Sequence, residues 1–297
     1  MNLLFTCVGR RKYLVDYFKS ESDFVNKIVG ADMSHTAPAL HSCDEWYQVP
    51  GIYDPDYIDH ILSICEKEKI NSIISLNDME LPILIENQEK FNDIGVNLVL
   101  SNKNVIDICS DKYKTYEFGL ELGIPVPKTY IEVSQAIVDI ANDSIKFPLI
   151  VKPRWGSASF GLYIVNTIGE LEESFTQCHS NLATSYLCQF QQSNQDVIIQ
   201  EFIEGSEYGV DIFNDLRSTY HGFVAKKKLS MRAGETDKAT TVSPRLFLDS
   251  ATKIGKNLGH IGNLDCDFME RDGEMLLLEL NPRFGGGYPF HMKRVLI

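Results

Sequence analysis

Three polar residues near the C-terminus, Glu279, Asn281 and Arg283, lie two apart in the run Leu276-Leu277-Leu278-Glu279-Leu280-Asn281-Pro282-Arg283. In an extended strand alternate side chains share a face. That spacing puts a carboxylate, an amide and a guanidinium on one side, and turns Leu278 and Leu280 toward a core. Two oxygen donors beside a guanidinium suit a hard divalent cation that holds a polyphosphate. Twelve residues upstream of Glu279, Asp267 closes a second apolar run, Leu264-Asp265-Cys266-Asp267-Phe268-Met269. Arg271-Asp272-Gly273-Glu274 reads as a hairpin turn between the two, which brings Asp267 across from Glu279. Alone, such a run fits a strand end with solvated charges better than a metal site.

Two other clusters carry chemistry. Val151-Lys152-Pro153-Arg154-Trp155-Gly156-Ser157-Ala158-Ser159-Phe160-Gly161 joins two strand-like runs. Its small residues let backbone amides approach a phosphate, and Lys152 would add a point charge. It is not GxxxxGK[ST], so a P-loop is excluded; a flexible hairpin with a solvated lysine fits equally well. Ile198-Ile199-Gln200-Glu201-Phe202-Ile203-Glu204-Gly205-Ser206-Glu207-Tyr208 reads as strand, turn, strand. Glu201 could accept from an adenine amino group, the backbone after it could pair with the ring edge, and Glu207 could hold ribose hydroxyls. In isolation a charged hairpin mouth fits better.

The elements that must position these residues follow from periodicity. Asn2–Cys7, Lys27–Asp32, Trp46–Val49, Ile73–Leu76 and Val96–Leu100 read as strands. They alternate with helices through Phe18, over Asp56–Glu68 and over Glu80–Phe91. This alternation predicts a parallel sheet in an α/β domain that is Rossmann-like but lacks GxGxxG, its first turn being Val8-Gly9-Arg10-Arg11. Beyond residue 101 a helix capped by Asp111 runs to Leu122. Strands are expected at 147–153, 161–165, 197–202, 207–213 and 220–227, with helices from near Gly169 and over Ala251–Leu258, an α+β pattern. Arg10 and Arg11, at a helix start, and Asp78 and Glu80, after a strand end, are candidates for contact with a variable substrate. For the two acids, helix capping is the competing reading.

The 297 residues carry a net charge of −13, which argues against nucleic acid or an anionic membrane as partner. The apolar stretch Leu3–Val8 is too short for a signal or membrane segment. Seven scattered cysteines without CxxC read as reduced thiols in a cytoplasmic protein.

The order of a DK helix start, a VKP-glycine loop, a QEFIEGxEY hairpin and an ELNPR strand resembles the ATP-grasp superfamily, and within it the carbamoyl-phosphate synthase large-subunit-like proteins. The resemblance covers nearly the whole chain. It implies a pre-ATP-grasp α/β domain over 1–108, a small lobe with the glycine-rich loop over 109–190, and a C-terminal lobe with the metal site over 191–297. By that resemblance Lys112, Lys152, Gly156, Ser157, Ser159 and Gly161 contact ATP phosphates, and Glu201, Phe202 and Ile203 hold adenine. Glu207 would then hold ribose, and Asp267, Glu279 and Asn281 bind Mg²⁺ or Mn²⁺. Arg283 and Lys152 would act on the transferring phosphoryl group. Arg232, in a loop that looks like the one beside the acceptor, would bind a substrate carboxylate; a solvated basic turn fits that loop as well.

The implied activity is ATP-dependent ligation of a small carboxylate to an amine or similar nucleophile through an acyl phosphate. The alternative is an ATP-binding sensor or partner subunit without turnover. Related chains usually continue with a helix after the GGG turn, whereas this one ends fourteen residues past Arg283. A shortened last helix would expose an apolar face for a partner chain to cover, a second copy of this chain in a homodimer being one such partner. The chain lacks duplicated halves, so carbamoyl phosphate is not the expected product.

Overall fold

The computed structural model describes residues 1–156, 161–185, 187–188, 195–232 and 235–288. The expectations for Ser157, Ser159 and the tail after Tyr288 therefore lie outside the described residues.

The N-terminal domain comprises β1 (Asn2–Thr6), α1 (Lys12–Ser20), β2 (Lys27–Asp32), β3 (Glu45–Gln48), α2 (Tyr57–Glu68), β4 (Ser72–Ser75), α3 (Leu81–Glu86), α4 (Gln88–Asp93) and β5 (Asn97–Leu98). Its five strands form a parallel sheet in the order β3-β2-β1-β4-β5. The strands read as near-continuous apolar runs because helices cover both faces. Strand order reverses beside β1, so the turns after β1 and β4 meet at the carboxyl edge of the sheet. The first turn is stitched locally: Gly9 takes φ +50°, and its amide donates to Asp32 Oδ2 at 2.9 Å. Asp32 is thus committed to the turn, in keeping with the missing dinucleotide fingerprint. The single helix expected over Glu80–Phe91 is two, broken at Asn87, whose side chain donates back to the Ile83 carbonyl at 2.9 Å and competes with helix continuation.

Two helices follow: α5 (Lys103–Ser110), which the sequence did not reveal, and α6 (Lys112–Glu121), the helix expected to run to Leu122. Asp111 separates them and caps α6, accepting from the amides of Tyr113 and Lys114. A small antiparallel sheet, ordered β6-β9-β7-β8, consists of β6 (Thr129–Tyr130), β7 (Leu149–Pro153), β8 (Tyr163–Val165) and β9 (Val197–Glu201). The helices α7 (Val133–Ala141) and α8 (Ile168–Ala183) share its apolar core.

The large antiparallel sheet, ordered β12-β11-β10-β13-β14, comprises β10 (Glu207–Asn214), β11 (Tyr220–Arg232), β12 (Glu235–Thr241), β13 (Gly262–Arg271) and β14 (Glu274–Asn281). One face packs Val210, Ile212, Leu264, Cys266 and Phe268 against α5, α6 and α9 (Leu248–Asn257). The opposite face carries the charged residues that build the site.

Gly205 sits in the turn between β9 and β10, where an added Cβ would lie 1.9 Å from the Glu270 carbonyl oxygen. Gly205→Ala is expected to destabilise the fold by about 1–3 kcal/mol through overpacking against backbone. Gly169→Ala, with nothing near the new methyl, serves as control. Urea midpoints of the two variants check this; equal midpoints would refute the close approach.

Candidate active site

The expected hairpin register holds: Asp267 pairs with Glu279 and Asp265 with Asn281 across β13 and β14. Strict alternation does not. A bulge between Asp267 and Phe268 inserts Leu278 as an extra residue on β14. Leu278 therefore faces the cavity next to Glu279 instead of the core, a correction to the simple period-two reading.

The loop after β7 and the start of α6 are stapled together. Arg154 forks onto Asp111, Nε to Oδ1 and Nη2 to Oδ2, both at 2.7 Å, and the Lys112 amide donates to the Arg154 carbonyl at 3.1 Å. A bidentate guanidinium–carboxylate pair fixes orientation as well as distance. The staple places Lys112 Nζ on the Gly156 carbonyl and 3.3 Å from Glu279 Oε1. Lys152, at the end of β7, donates to Gln200 Oε1 at 2.8 Å.

Lys152, Gln200, Glu201, Phe202, Ile203, Glu207, Asp267 and Glu279 line one cavity of about 270 Å³ between the two antiparallel sheets. Ile150, Leu162, Met269 and Leu278 add apolar wall to these charged and polar groups. Such a cavity suits a ligand with a flat apolar body and a charged tail. Glu201 is engaged on both oxygens, by Arg271 Nη1 at 2.6 Å and the Lys128 amide at 3.3 Å.

Electrostatics explain why these charges coexist. Burial disfavours the Lys152 ammonium and the nearby Lys112 charge adds to the effect, so its pKa falls to about 8. Burial pushes the Glu279 carboxyl up, but Lys112 and Lys152 outweigh it and leave it below the ordinary value. Lys228, on β11, bridges Glu207 and Asp267 at 2.6 Å each. Burial works against that ammonium too, yet Asp267, Asp265 and Glu207 together hold its pKa above the usual lysine value. Asp267 itself is held above the ordinary carboxylate range by burial, against the pull of Lys228.

A family model described as an ATP-grasp domain matches residues 109–287, and one described as a PylC-like N-terminal domain matches residues 3–99. The chain belongs to the ATP-grasp family. The large chain of carbamoyl phosphate synthase from Campylobacter jejuni is 24% identical over 293 residues, a match covering 94% of this chain and 25% of that one. The chain thus spans about a quarter of that relative's length. The carbamoyl-phosphate synthase of Methanobrevibacter smithii is 24% identical over 304 residues, covering 96% of this chain and 75% of its own. Among solved structures, the biotin carboxylase domain dimer of the 2-oxoglutarate carboxylase from Hydrogenobacter thermophilus superposes with a TM-score of 0.74 at 16% identity, covering 97% of this chain and 65% of that one. At that identity the likeness establishes the ATP-grasp architecture alone.

Against the ATP-grasp pattern, the structure brings Lys112, Lys152, Gly156, Glu201, Phe202, Ile203, Glu207, Asp267, Glu279 and Asn281 to the two sides of one wall. Gly161 follows the loop in the left-handed region, φ +63°, against Pro153. Arg232 is not brought there: it is exposed at the end of β11, paired in register with Glu235. Glu80 takes the N-cap position of α3 but its side chain makes no capping hydrogen bond, and it lines neither cavity of the wall. It is fully buried and accepts from Thr6 Oγ1, Tyr57 OH and Ser75 Oγ at 2.6–2.8 Å. Arg11 Nη1 holds the Leu76 carbonyl at 2.9 Å.

Lys228 escaped the sequence reading, although its signal was present. Lys226-x-Lys228 and Asp265-x-Asp267 share the strand period, so each pair falls on one face. Lys226 meets Asp211 at 2.7 Å, both fully buried, while the intervening Lys227 lies over the Tyr208 ring on the other face.

The donor set fits magnesium. Among the described residues no three His, Cys, Asp or Glu converge into a complete metal cage. Asp267 and Glu279 nevertheless face each other as hard oxygen donors, and the protein's own ammonium groups, Lys228 and Lys112, sit on them. Magnesium keeps waters and needs one or two carboxylates beside phosphate oxygens.

Proposed function

We propose that the chain is an ATP- and magnesium-dependent ligase that joins a small carboxylate to an amine or related nucleophile through an acyl phosphate. One observation carries this reading. Asp267 and Glu279 stand opposite each other in the same cavity as Lys152, with Lys112 on Glu279. Paired carboxylates facing paired ammonium groups form a site for a metal-bound polyphosphate rather than for either ion alone. Family membership, the relatives that are carbamoyl phosphate synthases, and a structural neighbour described in complex with MgADP and bicarbonate support it.

In this reading Phe202 and Ile203 receive the base between the lobes, and Glu207 holds the ribose. Lys112 and Lys152 bind phosphate oxygens. Asp267, Glu279 and Asn281 would hold the magnesium, which supplies neutralisation of charge on the phosphate oxygens. The substrate carboxylate attacks the terminal phosphorus, the bond to ADP breaks, and Arg283 offers its guanidinium to the transferring group. The nucleophile then attacks the acyl carbon and phosphate departs. Positioning and charge neutralisation are the protein's contribution.

All seven cysteines are free, which supports a cytoplasmic setting. No described helix is long and apolar enough to cross a membrane. The neighbour described as a dimer supports a homodimer, which light scattering would check.

A screen of small carboxylic acids with and without amines, coupled to ADP release, tests the reading. At least one pair is expected to raise magnesium-dependent ADP release about tenfold over ATP alone. Tight Mg-ATP binding without turnover across the screen would favour the sensor reading instead.

A further inference from the structure

Arg283 is held from both ends of the sequence. Its Nε donates to Asp78 Oδ2 at 2.9 Å, its Nη2 lies 2.7 Å from the same oxygen as an ion pair, and its Nη1 donates to Asp265 Oδ2 at 3.0 Å. Asp78 lies in the turn after β4 of the N-terminal domain, and Asp265 lies on β13. Nη1 also reaches the Phe284 carbonyl at 3.4 Å. A guanidinium has five N–H donors, so among the described residues these contacts leave Nη2 able to donate to a substrate oxygen. Burial opposes the charge, but Asp78 and Asp265 outweigh it and keep the group firmly cationic.

The support beneath Asp78 is also built. Asn77 Oδ1 accepts from the Met79 amide at 3.0 Å. Glu80 roots the same turn in the sheet through hydroxyls from β1, β4 and α2. The segment after Arg283 docks on the same domain: Tyr13 OH donates to the Gly285 carbonyl at 3.0 Å, and the Phe284 ring meets Phe18 edge-on. The cavity on this side of the wall is lined by Asp78, Trp155, Gly156, Glu279 and Asn281, so Asp78 and the metal-side residues share one space.

We infer that Asp78 is a positioning residue of the transfer site: the N-terminal domain completes the site by clamping Arg283, with Glu80 fixing the turn that carries the clamp. Oriented groups contribute to rate by removing freedom before reaction, and a displacement of about 1 Å can cost about 10²-fold. What Arg283 does rests on the ligase reading; what holds it does not.

The test is a double-mutant cycle of Asp78→Asn and Arg283→Lys, assayed as magnesium-dependent ADP release across the same screen of small carboxylic acids and amines, bicarbonate with ammonium included. Asp78→Asn is expected to lower kcat about 10–100-fold and to leave the KM for Mg-ATP within about threefold. In the Arg283→Lys background the same change is expected to have less than about a threefold effect, because the group it positions is gone. Full additivity would overturn the inference. A second readout needs no turnover: the Arg283 Nε–H resonance is expected to be protected from solvent exchange in the wild type and to lose protection in Asp78→Asn. An unprotected wild-type resonance refutes the clamp. A protected resonance without turnover on any acid–amine pair of the screen refutes the ligase reading while the clamp stands. Should Asp78→Asn lose its cooperative melt, Asp78→Glu replaces it in the same cycle.

Discussion

Glu279→Gln is expected to lower magnesium-dependent turnover about 10²–10³-fold, the loss typical of removing one charged group that acts on a developing transition state. The residue does three things at once. It faces Asp267 across the hairpin, supplies a hard oxygen to the shared cavity, and neutralises Lys112 at 3.3 Å. Glutamine keeps the shape and one oxygen but removes the charge. Lys112 and Lys152 then face each other without their counter-ion, so the Lys152 pKa falls below its already depressed value, since Glu279 is one of the groups that raises it. Metal-free ATP binding is expected to suffer less than turnover, because the two lysines still meet the phosphates. Glu274→Gln on the same strand is the control: its exposed side chain pairs with Arg271 at 3.7 Å, away from the cavity. Turnover in Glu279→Gln within about threefold of wild type would remove Glu279 from the metal site.

Much of this wall was legible because strand geometry is local. The period-two spacing of Glu279 and Asn281 and the turn Arg271–Glu274 were enough to place Asp267 opposite Glu279, and the register agrees. The bulge that turns Leu278 into the cavity was not legible, since an inserted residue leaves the apolar pattern unchanged. Lys228 could have been found from the matching K-x-K and D-x-D spacings, which put opposite charges on one face of the large sheet. Asp78 could not have been assigned to Arg283. They are separated by 205 residues, and only the packing of the N-terminal domain on the large sheet brings them together. Asp78 and Glu80, two apart in one acidic cluster, have opposite fates: one reaches the site while the other is buried beneath it among hydroxyl donors. Sequence spacing alone gives no basis for that division.

The second large effect separates stability from binding at Lys152. Its folded pKa of about 8 lies below the ordinary value of 10.5. Below pH 8 the ammonium is charged in both folded and unfolded chains, and the folded state carries the full cost of holding it beside Lys112. Between pH 8 and 10.5 the folded chain has shed the proton while the unfolded chain keeps it. The unfolded state then binds more protons, and this group makes stability rise with pH. Lys152→Met removes the cost. The ligand-free variant is therefore expected to be more stable than wild type by about 1–3 kcal/mol below pH 8, discounted for water in the open cavity. That advantage is expected to shrink to nothing by pH 10.5. Mg-ATP binding is expected to move the other way, weakening about 10–100-fold through loss of a charge-assisted contact to phosphate. In wild type the affinity is expected to fall as pH rises above 8, and in Lys152→Arg it is not, because a guanidinium stays protonated. Denaturant midpoints across this pH range, with calorimetric titration of Mg-ATP, check both halves. A variant that is less stable than wild type at pH 7 yet binds Mg-ATP normally would place Lys152 in the fold and outside the nucleotide site.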